Sequence, residues 1–306
     1  MGGHSLLALQ LIHELNAAVG LDMPVRLIFT DPTIAGIARA IGTELTTRFG
    51  ASKRYNALVP LKPGGDRPPF FLVAGGAGGE AELVVYAGLA RYMDARRPFF
   101  GLRAHGIDEL VEPHETVEEM AAEYNREIRR IQPDGPYTIG GSCVAGVVAL
   151  EMAQQLRRDG QEVRTLILID SFIPRWSRFM RNEIVRFWSV HVRRDLQQAR
   201  TGGLLNVARE WRRRVVNPSP EEQIGYRQIR IMRTYLARLT SYAPKPYLGP
   251  MVLLRAANTN AEEAGRWRSI AAGRFEMHEI PGDHYTHLRD YAKATATRLE
   301  ECLGAD

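Results

Sequence analysis

The fold is decided by the stretch Tyr137-Thr138-Ile139-Gly140-Gly141-Ser142-Cys143-Val144-Ala145-Gly146. Its first half predicts a strand that ends in glycines, and residues 145–158 repeat apolar side chains with helical spacing. A nucleophile on such a sharp strand-to-helix turn needs small residues two positions before and after it. Centred on Cys143, these positions hold a glycine and an alanine, whereas centred on Ser142 one of them holds the β-branched Val144. The spacing therefore selects Cys143 as the candidate nucleophile.

Cys143 would also gain from its place at the start of a helix. The positive end of a helix favours a thiolate over a thiol, and the thiolate is the nucleophilic form. A cysteine outside such a context is usually a packing residue, and this is our interpretation of Cys302 in the predicted C-terminal helix. Two cysteines do not make a disulfide framework, so we expect a reducing cytoplasm.

Two further residues complete a predicted triad in the chain order nucleophile, acid, histidine. Asp170 closes the apolar run 166–169, at the carboxyl end of the next predicted strand, where open α/β sheets place their sites. Its alternative role is that of a helix cap or a loop aspartate. His284 follows the last predicted strand in the glycine-bearing loop 281–285. His287 is the competing histidine, but it lies inside the following helical pattern, so we favour His284.

An oxyanion hole requires two backbone N–H groups. One is expected from Val144, directly after the nucleophile. The other is expected from the glycine-rich loop 74–79, where Gly76 and Ala77 are the candidates, because glycine lets backbone approach an oxyanion closely. A phosphate-binding loop is the alternative, but no lysine follows and the Walker spacing is absent. No metal site is predicted.

The chain divides into three zones. Residues 1–45 form a short helical unit, and residues 46–68 are interpreted as a linker because proline and glycine punctuate them. From 69 to 304, β-rich runs alternate with helical patterns, which predicts a parallel sheet with helices on both faces. The helical block at about 176–242 interrupts the alternation and is interpreted as an inserted lid. The predicted strands are Phe70–Ala74, Phe99–Arg103, Tyr137–Gly140, Thr165–Ile169, Met251–Arg255 and Phe275–Ile280, and the predicted helices are Glu80–Tyr92, Val117–Ile131 and Ala145–Arg158.

The overall composition is that of a globular protein with a modest positive charge. The 306 residues carry a formal net charge of +5, and the excess of arginine is concentrated between Arg175 and Lys245. Nucleic-acid binding is the functional alternative, but no nucleic-acid motif accompanies the charge, so a solvated helical face is the simpler interpretation. No apolar stretch is long enough to span a membrane, and no secretory signal is visible. We therefore expect neither a nucleic-acid partner nor a membrane partner.

A second candidate site lies at the start of the chain, in Gly2-Gly3-His4-Ser5-Leu6. Ser5 precedes a run of helical spacing, and taken alone it would be interpreted as a helix cap. The motif, however, resembles the attachment site of peptidyl carrier domains in nonribosomal peptide synthetases, and residues 29–34 resemble the segment before the last helix of that family. The resemblance implies that residues 1–45 are the C-terminal helices of a carrier domain, with 4′-phosphopantetheine carried on Ser5.

Residues 57–303 resemble the type I thioesterase domains of nonribosomal peptide synthetases. The resemblance rests on the glycine-rich loop, the Cys143 stretch with Glu151-Met152-Ala153 downstream, Leu168-Ile169-Asp170-Ser171 and Pro281-Gly282-Asp283-His284. It implies an α/β-hydrolase fold in which Cys143 takes an acyl or peptidyl chain from the carrier. Water or an internal nucleophile then releases the chain. The implied partners are the carrier domain, the upstream synthetase modules and the thioester substrate.

The sequence departs from that family at the nucleophile. Most members have serine where Cys143 stands and glycine where Ala145 stands, and a cysteine variant resembles the subset associated with strained products such as β-lactones and β-lactams. Two other classes remain as alternatives: an acyltransferase or editing hydrolase of the same fold, and a non-catalytic carrier-docking module. The upstream carrier motif argues against a free-standing editing enzyme, and the intact Cys143, Asp170 and His284 argue against a decayed site.

Overall fold

A computed structural model describes residues 11–12, 14–16, 23–24, 27, 33–49, 57–75, 80–104, 114–174, 234–259 and 261–304. The helices are α1 (Ile34–Phe49), α2 (Glu80–Ala90), α3 (Val117–Ile131), α4 (Gly146–Arg158), α5 (234–241), α6 (Ala261–Ile270) and α7 (Ala292–Leu303). The strands are β1 (Leu58–Lys62), β2 (Phe70–Val73), β3 (Phe99–Leu102), β4 (Tyr137–Ser142), β5 (Val163–Ile169), β6 (Met251–Ala256) and β7 (Phe275–Ile280). Among the helices described, none is both long and apolar enough to cross a bilayer.

Within these residues, seven strands form one sheet in the order β1-β3-β2-β4-β5-β6-β7. Every pairing is parallel except that of the edge strand β1, which runs antiparallel to β3. The central strands are buried on both faces, and their continuous apolar runs are typical of a parallel sheet covered by helices. The predicted α/β class with a parallel sheet is confirmed.

The sheet separates two hydrophobic clusters. One lies between the sheet and the helices α3 and α4, and it also receives Trp267 of α6 and Tyr235 of α5. The other lies between the opposite face and the helices α2 and α7. With both faces covered, the carboxyl ends of the parallel strands are left as the edge at which side chains can form a site.

The start of the sheet differs from the sequence-based expectation. Part of the linker predicted over 46–68 is regular structure, since α1 continues to Phe49 and Leu58–Lys62 form β1. Pro60 is among the prolines and glycines that predict a linker, but proline is tolerated on an edge strand, where the side that lacks an N–H can face solvent. The register of β1 against β3 shifts between Pro60 and Lys62. Of the predicted lid at 176–242, residues 176–233 lie outside the described part of the chain, whereas its last segment contains α5.

Candidate active site

The candidate nucleophile Cys143 stands on a sharp turn between β4 and α4. The strand ends at Ser142, a single turn of 3-10 helix spans Cys143–Ala145, and α4 begins at Gly146. Cys143 has φ 56°, a conformation that non-glycine residues adopt at a cost of about 1–3 kcal/mol and that concentrates at functional sites. A Cβ on Gly141 would lie 2.6 Å from the carbonyl oxygen of Ala145, which explains why the turn needs a glycine there.

The backbone of the turn is held by the segment that follows β5. The carbonyl oxygen of Cys143 accepts hydrogen bonds from the hydroxyl of Ser171 (2.6 Å) and from the backbone N–H of Phe172 (3.2 Å). The indole N–H of the buried Trp267 donates to the carbonyl of Ser171 at 2.8 Å, so α6 fixes the segment that holds the turn. Cys143 as a whole residue is 9% exposed, and it packs in the hydrophobic cluster that also contains α3 and α4.

His284 connects Cys143 to Asp170. Its Nε2 lies 3.2 Å from Sγ of Cys143, and its Nδ1 lies 2.6 Å from Oδ2 of Asp170. Because a neutral imidazole donates from one ring nitrogen and accepts at the other, this arrangement places a proton on Nδ1 and directs Nε2 at the thiol. The structure thus brings together the three residues that the sequence singles out, from the ends of β4, β5 and β7.

The loop that presents His284 is shaped by its own residues. Gly282 turns the chain with φ 93°, and a Cβ there would lie 2.7 Å from the hydroxyl oxygen of Thr286. The carboxylate of Asp283 accepts hydrogen bonds from the backbone N–H groups of Tyr285 (2.9 Å) and Thr286 (3.0 Å). This local network fixes the turn that begins at His284 and explains why the histidine follows a Gly-Asp pair.

Asp170 is oriented by partners beyond the histidine. It has φ 40° and is nearly buried. Its second carboxylate oxygen, Oδ1, accepts from the backbone N–H of Ala256 and from the hydroxyl of Thr259, both at 2.9 Å. Its role is therefore neither that of a helix cap nor that of a solvated loop aspartate. Thr259 was not found from the sequence, although its place just after a strand of the parallel sheet is the signal that could have suggested it.

The electrostatics favour a charged Asp170–His284 pair. Burial alone would raise the pKa of Asp170, but hydrogen bonds from His284, Ala256 and Thr259 outweigh it and hold the pKa below its usual value. Burial alone would lower the pKa of His284, but its hydrogen bonds with Asp170 and Cys143 raise that pKa to about 10. The imidazolium form is therefore stabilised between a carboxylate and a sulfur that can carry negative charge.

The competing histidine, His287, occupies a different environment. It is 2% exposed, and its Nδ1 lies 2.8 Å from the carbonyl oxygen of Asp283, which accepts from it. Burial lowers the pKa of His287, and the neighbouring His284 adds to that effect, so the neutral ring is favoured. Its ring centroid lies 5.9 Å from that of His284, so it packs behind the histidine that contacts Cys143.

The predicted oxyanion hole is described in part. Val144 is the second residue of the turn, so its N–H is one of the first donors of a helix N-terminus, which have no intrahelical acceptor. Gly76 and Ala77 lie outside the described residues, as does Ser5 of the predicted attachment motif. Gly75, directly before that loop segment, is described, and its N–H donates to the hydroxyl oxygen of Tyr86 at 3.0 Å.

Two family models match the chain. The model described as thioesterase domain matches residues 69–183, and the model described as phosphopantetheine attachment site matches residues 1–41. The first match includes Cys143 and Asp170, and the second includes Ser5. Their order along the chain agrees with the order of the two resemblances found in the sequence.

Similar proteins include several large synthetases. The chain is 38% identical over 173 residues to the dimodular nonribosomal peptide synthase of Bacillus subtilis (strain 168), a match that covers 56% of this chain and 7% of that protein. It is 30% identical over 294 residues to malpinin synthetase of Mortierella alpina, a match that covers 93% of this chain and 4% of that protein. It is 37% identical over 174 residues to indigoidine synthase of Dickeya dadantii (strain 3937), a match that covers 57% of this chain and 11% of that protein. The chain therefore spans only a small part of the length of these relatives.

Solved structures share the fold. A covalent complex of the NocB thioesterase domain with a fluorophosphonate nocardicin G analogue matches with a TM-score of 0.61 at 26% identity, covering 81% of this chain and 100% of that one. A four-domain nonribosomal peptide synthetase bound to AMP and glycine matches with a TM-score of 0.65 at 21% identity, covering 99% and 24%. Together, the matches show that this chain contains a thioesterase domain of the α/β-hydrolase fold preceded by a phosphopantetheine attachment site, as in nonribosomal peptide synthetases.

Proposed function

We propose that this chain releases an acyl or peptidyl chain from a carrier-bound thioester through a covalent intermediate on Cys143. The observation that carries the proposal is the hydrogen-bonded series Cys143–His284–Asp170, with 3.2 Å between sulfur and Nε2 and 2.6 Å between Nδ1 and the carboxylate. Nucleophile, base and orienting acid stand in the geometric relation that nucleophilic catalysis requires. This complete series also favours an enzyme over a carrier-docking module with a decayed site.

In the acylation step, the proton of the Cys143 thiol passes to Nε2 of His284, and the resulting thiolate attacks the carbonyl carbon of the substrate thioester. A new C–S bond forms, and the carbonyl electron pair becomes an oxyanion, for which the N–H of Val144 is the candidate donor. When the oxyanion collapses, the bond to the carrier thiol breaks, and the imidazolium of His284 gives its Nε2 proton to the leaving thiolate. Asp170 keeps its negative charge throughout and stabilises the imidazolium.

In the release step, His284 is neutral and takes a proton from the attacking nucleophile. That nucleophile is water for hydrolysis, or a hydroxyl or amine of the bound chain for cyclisation. Its attack on the Cys143 thioester forms the new bond to the carbonyl carbon, and the C–S bond breaks. The sulfur leaves as a thiolate, which restores the starting ion pair with the imidazolium of His284.

Cysteine in place of serine is suited to cyclisation, including closure of a strained lactone or lactam. Transfer from the carrier thiol to Cys143 exchanges one thioester for another, so the step is nearly isoenergetic. The acyl group keeps the activation that an oxygen ester would lose. Retained activation matters most when the internal nucleophile is weak and the product ring is strained.

The carrier supplies the substrate in this scheme. Residues 1–41 match a phosphopantetheine attachment site, and within them Ser5 is the residue that we propose for covalent attachment of 4′-phosphopantetheine. Upstream synthetase modules and their carrier are the proposed partners, since the matches that cover nearly the whole chain include malpinin synthetase and a four-domain nonribosomal peptide synthetase.

The test is a comparison of Cys143→Ser with the wild type on a panel of pantetheine thioesters. We expect the serine variant to acquire acyl chains, because the same Asp–His pair can activate a hydroxyl. Its oxygen ester should then stall or hydrolyse, so linear product or stalled acyl-enzyme replaces cyclic product. His284→Ala serves as the control that abolishes release. Wild-type product formed by Cys143→Ser at the wild-type rate would contradict the cyclisation hypothesis, and unchanged release by His284→Ala would contradict the enzymatic proposal.

A further inference from the structure

We propose that Tyr86 is a positioning residue for the oxyanion hole: its buried hydroxyl anchors the start of the glycine-rich loop against Cys143. The inference rests on the proposed function, because it concerns acyl transfer to the same cysteine. Tyr86 lies on α2 and is 1% exposed, so its hydroxyl is not open to solvent or to a bound substrate. Its hydroxyl reaches the backbone beside the triad instead.

The hydroxyl of Tyr86 contacts the backbone at the end of β2 and just after it. It accepts the backbone N–H of Gly75 at 3.0 Å, and its own proton is directed at the carbonyl oxygen of Val73 at 3.5 Å. Burial raises the pKa of Tyr86 above its usual value, so the hydroxyl keeps its proton and its donor capacity.

Gly75 is in direct contact with the nucleophile turn. A Cβ placed on it would lie 2.6 Å from the carbonyl oxygen of Ser142 and 2.7 Å from Cβ of Cys143. The residue before it, Ala74, is held from a third side, because its carbonyl oxygen accepts a hydrogen bond from the hydroxyl of Tyr235 at 3.4 Å. The chain is therefore fixed at Ala74 and Gly75, immediately before it enters the loop 76–79.

The N–H of Gly75 and the N–H groups of the residues after it have different roles in this proposal. The N–H of Gly75 is already engaged by Tyr86, so the loop's donor to an oxyanion comes from a later residue, for which Gly76 and Ala77 are the sequence candidates. The hydrogen bond to Tyr86 sets where that segment starts relative to Cys143. Loss of the hydroxyl would leave the nucleophile in place and let the donor move. Misplacement of a group by about 1 Å can cost roughly 100-fold in rate.

The experiment measures two reactions at Cys143 in the full chain carrying Tyr86→Phe. Acylation by a pantetheine thioester develops an oxyanion, whereas alkylation by iodoacetamide displaces iodide directly and develops none. We expect kcat for the thioester to fall about 10- to 100-fold with KM unchanged, and the alkylation rate of Cys143 to stay at the wild-type value.

A matched control is Tyr137→Phe, at the opposite end of β4. The buried hydroxyl of Tyr137 donates to carbonyl oxygens, at 2.9 Å from Gln132 and 2.8 Å from Pro133, away from the nucleophile. Tyr137→Phe should lower the melting temperature as Tyr86→Phe does, with no change in either reaction. Equal acylation by wild type and Tyr86→Phe, or an equal slowing of acylation and alkylation, would overturn the inference. Absence of acylation in the wild type would instead refute the proposed function.

Discussion

Two members of the candidate triad, Cys143 and Asp170, share an unusual backbone conformation. Their φ angles are 56° and 40°, in the left-handed region that side chains other than glycine rarely adopt. Each cost is offset locally: hydrogen bonds from Ser171 and Phe172 hold the carbonyl of Cys143, and the carboxylate of Asp170 accepts from Ala256 and Thr259. The strained residues are the ones whose side chains must project from strand ends, which is where such strain concentrates in enzymes.

The raised pKa of His284 predicts how the stability of the fold depends on pH. That pKa rises from 6.5 to about 10, so the proton on the imidazole stabilises the folded state. The contribution is fully present below about pH 6.5 and is lost as the pH rises toward 10. The free energy of unfolding, measured in urea for wild type and His284→Gln, should therefore differ most at neutral pH and below. A difference that is constant or grows up to pH 10 would contradict the charged pair.

Among the elements, the turn at Cys143 and the loops that carry Asp170 and His284 could be predicted from the sequence, because each has a local sequence pattern. Small residues around Cys143 and the apolar run ending at Asp170 are local patterns, and the helix Val117–Ile131 and the strand Phe275–Ile280 were predicted with the observed bounds. Local patterns carry no signal for partners that come from distant elements. The hydroxyls of Thr259 and Tyr86 act on residues brought near them only by the order of strands in the sheet.

The contact between Gly75 and the nucleophile turn predicts that a side chain at position 75 is not tolerated. A methyl group at Gly75 would meet backbone at Ser142 and the side chain of Cys143, so Gly75→Ala must displace either the loop or the turn. We expect thioester turnover to fall by about 10-fold or more, as a shifted loop misplaces the oxyanion donor. The control is Gly88→Ala in α2, where a Cβ meets nothing within 4 Å. That change should retain turnover and raise the free energy of unfolding by about 0.5–1 kcal/mol; normal turnover by Gly75→Ala would contradict the packing.

At the scale of the whole molecule, a buried arginine ties the C-terminus to the beginning of the sheet. The guanidinium of Arg97 is 1% exposed, pairs with Glu300 of α7 at 3.1 Å, and donates to the carbonyl oxygens of Pro68 and Gly304. The N-terminal edge and the final helix are therefore joined through one side chain. The sequence did not suggest this role, because an arginine in a loop is usually interpreted as solvated.

Replacement of Arg97 should consequently destabilise the whole domain. Arg97→Met leaves Glu300 without its partner and two carbonyl groups without a donor, which we expect to lower the free energy of unfolding by about 3 kcal/mol. The neighbouring Arg96 is a matched control, since its ion pair with Asp66 is exposed and such pairs contribute little. The free energy of unfolding in urea is measured for both variants. Equal values for Arg97→Met and Arg96→Met would contradict the stabilising role of Arg97.

The central claim is that Cys143 carries the acyl chain, and intact-protein mass spectrometry after brief incubation with a pantetheine thioester tests it most directly. We predict a mass increase of one acyl group that peptide mapping locates on Cys143 and that Cys143→Ala abolishes. Cys302 should stay unmodified, because burial raises its pKa to about 11 and keeps it a thiol at neutral pH. An adduct on another residue, or thioester turnover that survives in Cys143→Ala, would contradict the account.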